Sequence, residues 1–275
     1  MKKRINKVFF YVALFAIAAI WFTPILTIIL TSLKSQADFF SGSTLFQLPT
    51  KIHWENFVEA VKVGNLFTYM RNGLIVSFIK VPLGILVEAL AAFAITRLSV
   101  KYKTAIFIYF LFGMMLPMQI SLVPINIMFK HLQLHNTYLG LCYAYIAFGT
   151  GFGILVLRGF FNAIPREIDE AAKIDGCNKF QLLTKIILPI SKPAIATLFI
   201  IDFLGTWNEF LLASVIINKT NLKTVPTGLM SFIGEYTINY GVMSAGVLIS
   251  IIPVLLVFLF FQRYFVEGLS GAVKQ

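Results

Sequence analysis

The chain has 275 residues, of which 58% are hydrophobic and only 13% are charged. A soluble domain has about 25% charged residues, so this composition excludes an ordinary soluble protein of this length. The formal net charge of +11 does not call for nucleic acid as a partner, because basic residues beside membrane spans explain much of such an excess.

The first long apolar run, residues 8–30, carries no charge. A bilayer core of about 30 Å needs about 20 apolar residues of helix, so this run is long enough to cross a membrane. It is longer than the apolar core of a signal peptide, about 7–15 residues, and no A-x-A-like cleavage site follows it. We therefore predict a retained first helix.

Five more apolar runs of spanning length follow along the chain. Their approximate bounds are 72–96, 104–129, 138–157, 194–217 and 242–261. Strands of a membrane barrel take about 9–11 residues, so these runs favour helices. We predict an all-α membrane protein with six transmembrane helices, organised as a single domain over residues 1–275, with both termini on one side.

The distribution of basic residues predicts which side that is. With the N-terminus inside, the inner segments hold fifteen lysines and arginines and the outer segments hold seven. Cytoplasmic loops carry such an excess. We therefore predict a multi-pass protein of the cytoplasmic membrane with both termini in the cytoplasm. The longest inner loop, residues 158–193, would then be cytoplasmic too.

This inner loop contains a compact charged segment, REIDEAAKIDGCNKFQLLTKIILPIS, residues 166–191. Pro165 suits the first turn of a helix, and the acidic residues after it favour the positive end of the helix dipole. Gly176 can end that helix, and Asn178 can cap a second one with Gln181 in a capping box. The pattern predicts a helix-turn-helix parallel to the membrane. By these features alone it could also be an amphipathic connector on the lipid surface.

The spacing within this segment resembles the EAA loop of permease subunits of ATP-binding-cassette (ABC) importers. That pattern is EAA, three residues, G, nine residues, then I-x-L-P. Every fixed position is matched here, by Glu170, Ala171, Ala172, Gly176, Ile186, Leu188 and Pro189. The stretches TWNEFLLASVII (206–217) and FQRYFVEGLSGAVKQ (261–275) resemble the carbohydrate-uptake branch, in particular permeases similar to the maltose-system G subunit.

The resemblance, which extends from about residue 70 to the end, implies a MetI-like permease fold and a transport role without catalysis. The EAA helix would seat on a separate cytoplasmic ATPase, with Glu170 pairing with a basic group, the alanines allowing close approach and Gly176 turning the chain. The partner ATPase would bind ATP and Mg, so this chain would hold no cofactor. The sequence has no G-x-x-x-x-G-K-[ST] motif, which agrees with that division of roles.

The same resemblance implies the partners and the cargo. The partners would be a second homologous permease subunit, two ATPase subunits and an extracellular or periplasmic solute-binding protein, within a lipid bilayer and without nucleic acid. The outer loop, residues 31–71, is long enough to meet the solute-binding protein. The cargo would be a sugar or an oligosaccharide.

Polar residues inside the spans form a second candidate site. Asp202 and Glu209 are seven residues apart, which places them near one helix face and about 10 Å apart along its axis. Charges at membrane depth usually face a cavity or a partner helix. One interpretation places Trp207, Asn208 and Glu209 on the translocation path. The other is that Glu209 is simply hydrated near the outer end of its span, while Asp202 pairs across a permease dimer.

Two further charges lie in the second span. Lys80 and Glu88 are about 12 Å apart along the helix, too far for a direct pair, and Lys80 is expected to snorkel to the outer interface. Glu88, Asp202 and Glu209 also support an alternative function, an ion-coupled secondary transporter or channel. That alternative predicts inverted repeats, which the spans do not show, and it leaves the EAA spacing unexplained.

Two other motifs are weak. Gly149 and Gly153 form a G-x-x-x-G pattern inside a span, which favours close helix packing over a phosphate loop. His131 and His135 have the i, i+4 spacing of metal ligands, but no carboxylate or cysteine is nearby in sequence. We predict no metal site.

Overall fold

The computed structural model of the protein describes residues 2–41, 46–233 and 238–273, and it is helical almost throughout. Within these ranges the β pairing is limited to an isolated bridge between Ile233 and Ile238. The all-α prediction is therefore confirmed for the described part of the chain. Lys274, one of the basic residues assigned to the inner side, lies outside the described residues.

The α-helices in chain order are α1 (Lys2–Ser32), α2 (Gln36–Ser41), α3 (Glu55–Lys62), α4 (Leu66–Arg97), α5 (Lys103–Met115), α6 (Met118–His131), α7 (Tyr138–Ala163), α8 (Arg166–Ile174), α9 (Lys179–Gln181), α10 (Leu188–Ile190), α11 (Lys192–Asn208), α12 (Leu211–Ile216), α13 (Val225–Leu229) and α14 (Tyr240–Val273). A π-helical turn, Leu182–Ile187, joins α9 to α10. Short 3₁₀ turns occupy Thr220–Leu222 and Met230–Phe232.

Four of these helices are long and apolar enough to cross a membrane, namely α1, α4, α7 and α14. Two bent pairs also pass the same test when each is taken as one span. One pair is α5 with α6, which meet at 95°, and the other is Lys179–Ile190 with α11, which meet at 78°. By length and composition the described chain therefore has four to six candidate spans.

Two predicted spans are broken, and prolines and local polar contacts explain how. The run 104–129 stops being helical at Leu116 and Pro117, whose backbones are extended with ψ of 123° and 125°. Proline has no N–H and pushes the residue before it out of the helical region. The run 194–217 is interrupted at Glu209, where ψ is 127°. By contrast, the helices around Pro24, Pro82 and Pro253 continue without a break.

The chain divides into two compact units, and the smaller comprises residues 1–67 and 228–252. Its apolar core contains Ala60, Val242 and Ala245, with Phe57 and Phe232 packed against them. The side chain of Gln36 fastens α2 to the start of α14. Its Nε2 donates to the Ile238 carbonyl at 2.5 Å, and its Oε1 accepts from the Tyr240 N–H at 3.2 Å.

The larger unit comprises residues 68–227 and 253–275, and it contains both candidate sites. Its main core draws on α4, α6, α7 and α12. Asn72 is fully buried in this unit; it donates to the carbonyls of Asn221 and Lys223, each at 2.9 Å, and accepts from the Tyr138 hydroxyl at 2.7 Å. These bonds fix the loop after α12 against two long helices. The single domain over residues 1–275 stays a prediction.

Candidate functional site

Residues 166–190 are called the EAA segment here. Its first helix, α8, ends next to Gly176, whose backbone conformation requires a glycine. Gly176 has φ of +76°, where residues with a side chain are strained. Its N–H donates to the Lys173 carbonyl at 3.1 Å, and the Cys177 N–H donates to the Ala172 carbonyl at 2.9 Å. This pair of bonds is the Schellman arrangement that closes a helix C-terminus. The predicted turn at Gly176 is confirmed.

The second helix begins with the predicted capping box. The Gln181 N–H donates to Asn178 Oδ1 and the Asn178 N–H donates to Gln181 Oε1, both at 2.9 Å. The sequence did not predict the π-turn that follows, in which the Leu188 N–H donates to the Leu183 carbonyl five residues back. Pro189 comes directly after this turn, and a proline cannot make the regular helical bond to the residue four positions before it. We attribute the π-turn to this proline.

The EAA segment has an inner and an outer face. Ala172, Leu183 and Ile187 are buried within this chain, and Ile186 and Leu188 are half-buried. The outer face, as defined here, includes Glu170, Ala171, Ile174, Phe180 and Pro189, which this chain leaves exposed together with most of the other charged side chains of the segment. Ile174 is 86% exposed and Phe180 is 68% exposed, which is unusual for large apolar residues beside a tight turn. The segment therefore presents a carboxylate together with apolar surface.

The inner face is held by an arginine that the sequence reasoning counted only as a positive charge. Arg97, the last residue of α4, places its Nη1 2.9 Å from Asp169 Oδ2. Its Nη2 donates to the carbonyls of Phe161 at 2.5 Å and Ile164 at 2.7 Å. The Arg97 side chain is 1% exposed. No local signal relates residues 97 and 169, so the sequence alone could not reveal the pair.

The second candidate site is a pocket of about 220 Å³ among α4, α6, α7 and α11, called here the polar pocket for its charged side chains although most of its lining surface is apolar. It is lined by Lys80, Met118, Tyr145, Phe148, Gly149, Asp202, Gly205, Thr206 and Glu209. Lys80, Asp202 and Glu209 are charged in water, and charges inside a membrane span are costly unless they are paired or hydrated. The contacts of each one decide what the pocket can bind.

The prediction that Lys80 snorkels to the outer interface is wrong. Lys80 is 3% exposed, and its Nζ lies 2.8 Å from Asp202 Oδ2. Asp202 therefore finds its counter-ion within the chain rather than across a dimer, because α11 runs beside α4 at this level. Lys80 and Glu88 do not form an ion pair, as their separation along the helix predicted.

Glu88 lies behind this pair, fully buried and with neither carboxylate oxygen hydrogen-bonded. It fits because α7 has no side chain there: a β-carbon on Gly153 would overlap the Glu88 carboxylate. One turn earlier, a β-carbon on Gly149 would lie 3.3 Å from Lys80 Nζ. The close packing predicted for the G-x-x-x-G pattern is confirmed, and it makes room for charged side chains of α4.

Glu209 is not simply hydrated, as one interpretation held. Its carboxylate accepts from the Tyr145 hydroxyl at 2.6 Å, from the Leu212 N–H at 2.8 Å and from the Ala213 N–H at 3.0 Å. The chain is extended at Glu209, so its side chain can turn forward and satisfy the free N–H groups at the start of α12. Glu209 thus both lines the pocket and stabilises the break after α11.

The other two predicted path residues do not reach the pocket lining. Trp207 is 3% exposed and stacks on Phe203, with ring centroids 6.0 Å apart. Asn208 is exposed, and its side chain donates to the Leu204 carbonyl of its own helix at 3.0 Å. The ring of Trp207 and the amide of Asn208 therefore serve packing and local hydrogen bonding in this conformation.

The two histidines with metal-like spacing also separate. His135 Nε2 lies 3.3 Å from the Val215 carbonyl and its Nδ1 lies 2.8 Å from Asn136 Nδ2, while His131 is exposed. Among the described residues, no three or more His, Cys, Asp or Glu side chains come together as metal ligands.

Comparison with known proteins agrees with the fold. Residues 80–271 match the family model described as "Binding-protein-dependent transport system inner membrane component". The chain is 38% identical over 268 residues to the probable ABC transporter permease protein YurM of Bacillus subtilis (strain 168), covering 97% of this chain and 87% of that one. It is 31% identical to the probable starch degradation products transport system permease protein AmyC of Thermoanaerobacterium thermosulfurigenes, covering 94% and 93%.

Solved structures show the same architecture. A bacterial ABC transporter involved in the import of the acidic polysaccharide alginate has a chain that superposes with a TM-score of 0.81 at 24% identity, covering 96% of this chain and 98% of that one. The MetNI methionine ABC transporter superposes with a TM-score of 0.60 at 14% identity, covering 79% and 99%. These similarities confirm the predicted MetI-like helical fold. The chain belongs to the family of inner-membrane components of binding-protein-dependent transport systems.

Proposed function

We propose that this chain is the permease subunit of an ABC importer that moves a sugar or an oligosaccharide across the cytoplasmic membrane. The observation that carries the proposal is the outer face of the EAA segment, where Glu170 stands beside uncovered apolar side chains. The saccharide is supported by related permeases named for starch degradation products, arabinooligosaccharides and diacetylchitobiose. In this family the permease is a transport subunit, and separate ATPase subunits hydrolyse ATP.

In this proposal the EAA segment docks into a groove on a partner ATPase. Glu170 pairs with a basic group there, and Ile174 and Phe180 fill apolar contacts, each worth about 1.5–3 kcal/mol when fully buried. Gly176 sets the turn between the two helices that carry these apolar side chains. Ala171 lets the partner approach closely, while Ala172, Ile186, Leu188 and Pro189 shape the segment and seat it on its own chain. ATP and Mg would be bound by the ATPase.

The wider assembly follows from the same proposal. In it each bent pair counts as one span, which gives six spans, and the excess of basic residues supports a cytoplasmic position for both termini and for the EAA segment. A second homologous permease subunit and two ATPase subunits complete the importer, and a solute-binding protein delivers the substrate from outside. One solved relative is an alginate ABC transporter in complex with a periplasmic protein bound to an alginate pentasaccharide.

Within the membrane, the polar pocket is the place where this subunit would contact substrate. The carboxylate of Glu209 and the hydroxyls of Tyr145 and Thr206 offer hydrogen bonds to a polyhydroxylated ligand. Trp207 and Asn208 would join the path only if the helices around the pocket rearrange during transport. An ion relay is not favoured, since Asp202 is held by Lys80 at 2.8 Å and the chain belongs to a family driven by separate ATPases.

The proposal is tested by purifying the tagged chain from its host in mild detergent, as wild type and as Glu170→Lys. We expect wild type to co-purify with a second permease and an ATPase. With Glu170→Lys, the amount of co-purified ATPase should fall at least tenfold, while the amount of the second permease should not change. Because the ATPase is cytoplasmic, the same result places the EAA segment in the cytoplasm.

The matched control is Glu55→Lys, which makes the same charge change on an exposed residue of α3. It should retain the ATPase. If wild type brings down no ATPase, or if both variants lose it equally, docking through the EAA segment is wrong.

A further inference from the structure

A single buried guanidinium joins the EAA segment to the ends of two long helices. We propose that Arg97 and Asp169 are positioning residues of the transport cycle, which make α8 and the end of α4 move as one body when the ATPase moves the EAA segment. This inference rests on the proposed function, because it needs a partner that pulls on the segment.

The two terminal nitrogens of the Arg97 guanidinium bind different groups. One terminal nitrogen, Nη1, lies 2.9 Å from Asp169 Oδ2, and the other, Nη2, donates to the carbonyls of Phe161 and Ile164. A planar guanidinium can hold a carboxylate and carbonyls at once in fixed directions, which a lysine ammonium cannot do. Arg97 is 1% exposed, so water does not compete for these bonds.

The two carbonyls lie at the C-terminal end of α7, where the last carbonyls lack the regular α-helical bond. The Phe161 carbonyl also accepts from the Ile164 N–H, at 3.3 Å. A buried cation is favoured at this negative end of the helix dipole. The C-terminal ends of α4 and α7 and the first turn of α8 therefore meet at Arg97. A second bond joins α8 to α4, from Arg166 Nη2 to the Thr96 carbonyl at 2.6 Å, but the Arg166 side chain is 57% exposed. Arg97 is the sheltered link.

Asp169 is next to Glu170 in α8. A movement of the ATPase bound at the outer face would therefore be transmitted through Asp169 and Arg97 to α4. Adjacent helical residues are about 100° apart around the axis. Glu170 is exposed on the outer face, whereas the Asp169 side chain is 17% exposed and bonded to Arg97. Docking and transmission are thus carried by neighbouring carboxylates on one rigid turn of helix, and a change at one need not alter the other.

A purely structural pair would affect assembly, hydrolysis and transport together, whereas a positioning pair would separate them. The test uses the complete importer, purified with its partner subunits and solute-binding protein and reconstituted into liposomes. Saccharide uptake and ATP hydrolysis are measured on the same preparation for wild type, Asp169→Asn, Asp169→Glu and Arg97→Lys. The control is Asp175→Asn, a neutralised carboxylate at the exposed C-terminal end of α8.

We expect Asp169→Asn to keep the ATPase bound and its hydrolysis within about twofold of wild type, while saccharide moved per ATP falls at least tenfold. Asp169→Glu should recover part of the lost transport per ATP. Arg97→Lys should also retain more transport per ATP than Asp169→Asn but less than wild type, because one of its contacts survives. Asp175→Asn should behave as wild type.

The inference is overturned if Asp169→Asn transports with unchanged stoichiometry, or if it loses the ATPase and transport to the same extent. If Asp169→Asn does not assemble, Arg97→Lys decides between the same outcomes, since it keeps the buried charge. Failure of wild type to bind an ATPase would instead refute the proposed function, and with it this inference.

Discussion

Two ion pairs have their basic residue on the same helix, α4, but they lie in different surroundings. Lys80 and Arg97 lie about 25 Å apart along α4. Lys80 pairs with Asp202 beside the polar pocket, and Arg97 pairs with Asp169 of the EAA segment. Both cations are almost completely buried. The difference is in what surrounds them.

The pair at Arg97 is supplemented by two backbone carbonyls, whereas the pair at Lys80 lies close to a second carboxylate that is not hydrogen-bonded. Arg97 has two carbonyls besides its carboxylate. Lys80 has a second carboxylate nearby, Glu88, which has no hydrogen-bond partner. Arg97 holds three acceptors with its two terminal nitrogens, so losing one of them leaves two. Among the described residues, Asp202 is the only carboxylate within ion-pair distance of Lys80, so removing Asp202 should cost more than removing Asp169.

The largest effect is expected from Asp202→Ala, compared with Asp169→Ala. Removing Asp202 leaves the Lys80 charge buried without its partner, which costs about 3–5 kcal/mol. Removing Asp169 should cost about 1.5–3 kcal/mol, because Arg97 keeps both carbonyls. We expect the apparent melting temperature in detergent to fall on the order of 10 °C for Asp202→Ala and about half as much for Asp169→Ala.

The double variant Lys80→Met with Asp202→Leu is the control for the first change, because it removes both charges and should recover most of the stability. If the two single variants lose the same melting temperature, the comparison fails. The groups around each ion pair would then have no influence on the stability lost when the pair is broken.

A smaller effect is expected where α7 makes room for the charges of α4. Gly153→Ala would force its new methyl group into the Glu88 carboxylate, and such overpacking costs about 1–3 kcal/mol. Gly159→Ala, on the same helix, meets nothing within 4 Å and should gain up to about 1 kcal/mol from helix propensity. Thermal unfolding of the two variants side by side measures the difference. A Gly153→Ala protein as stable as Gly159→Ala would show that Glu88 moves aside freely.

The smallest effect is local, at the turn of the EAA segment. Gly176→Ala meets no neighbour within 4 Å but must hold φ at +76°, which costs about 1–2 kcal/mol for a residue with a β-carbon. Hydrogen exchange at the end of α8 should therefore quicken about tenfold. Gly176→Asn should quicken it less, since asparagine tolerates this conformation. If alanine and asparagine behave alike, the turn is not held in this conformation in solution.

The features that the sequence predicted well are those set by neighbouring residues. The end of α8 at Gly176 and the capping box of Asn178 and Gln181 depend on contacts within a few residues, so their spacing in sequence is enough. The apolar runs likewise predicted helices of spanning length, although the run 104–129 was predicted as one span and is broken at Pro117.

The features that the sequence missed depend on partners far along the chain. Lys80 meets a carboxylate 122 positions later, and Arg97 meets one 72 positions later. Neither pair leaves a local pattern, because one charged residue in a helix has no spacing to recognise. The contacts of Glu209 were missed for another reason: the sequence predicted an unbroken span around it, whereas it sits at a break, where its carboxylate accepts from free N–H groups.

The π-turn before Pro189 limits how the length of this segment can change. A π-turn contains one residue more than an α-turn. Deleting one residue between Leu182 and Ile187 would let this turn close as regular α-helix with little change in the direction of the segment before it, because the π-turn already accommodates that extra residue. Deleting one residue of α9, which lies outside the π-turn, would instead rotate Glu170 by about 100° relative to α11. The π-turn is therefore the place in this segment where the loss of one residue should disturb the docking face least.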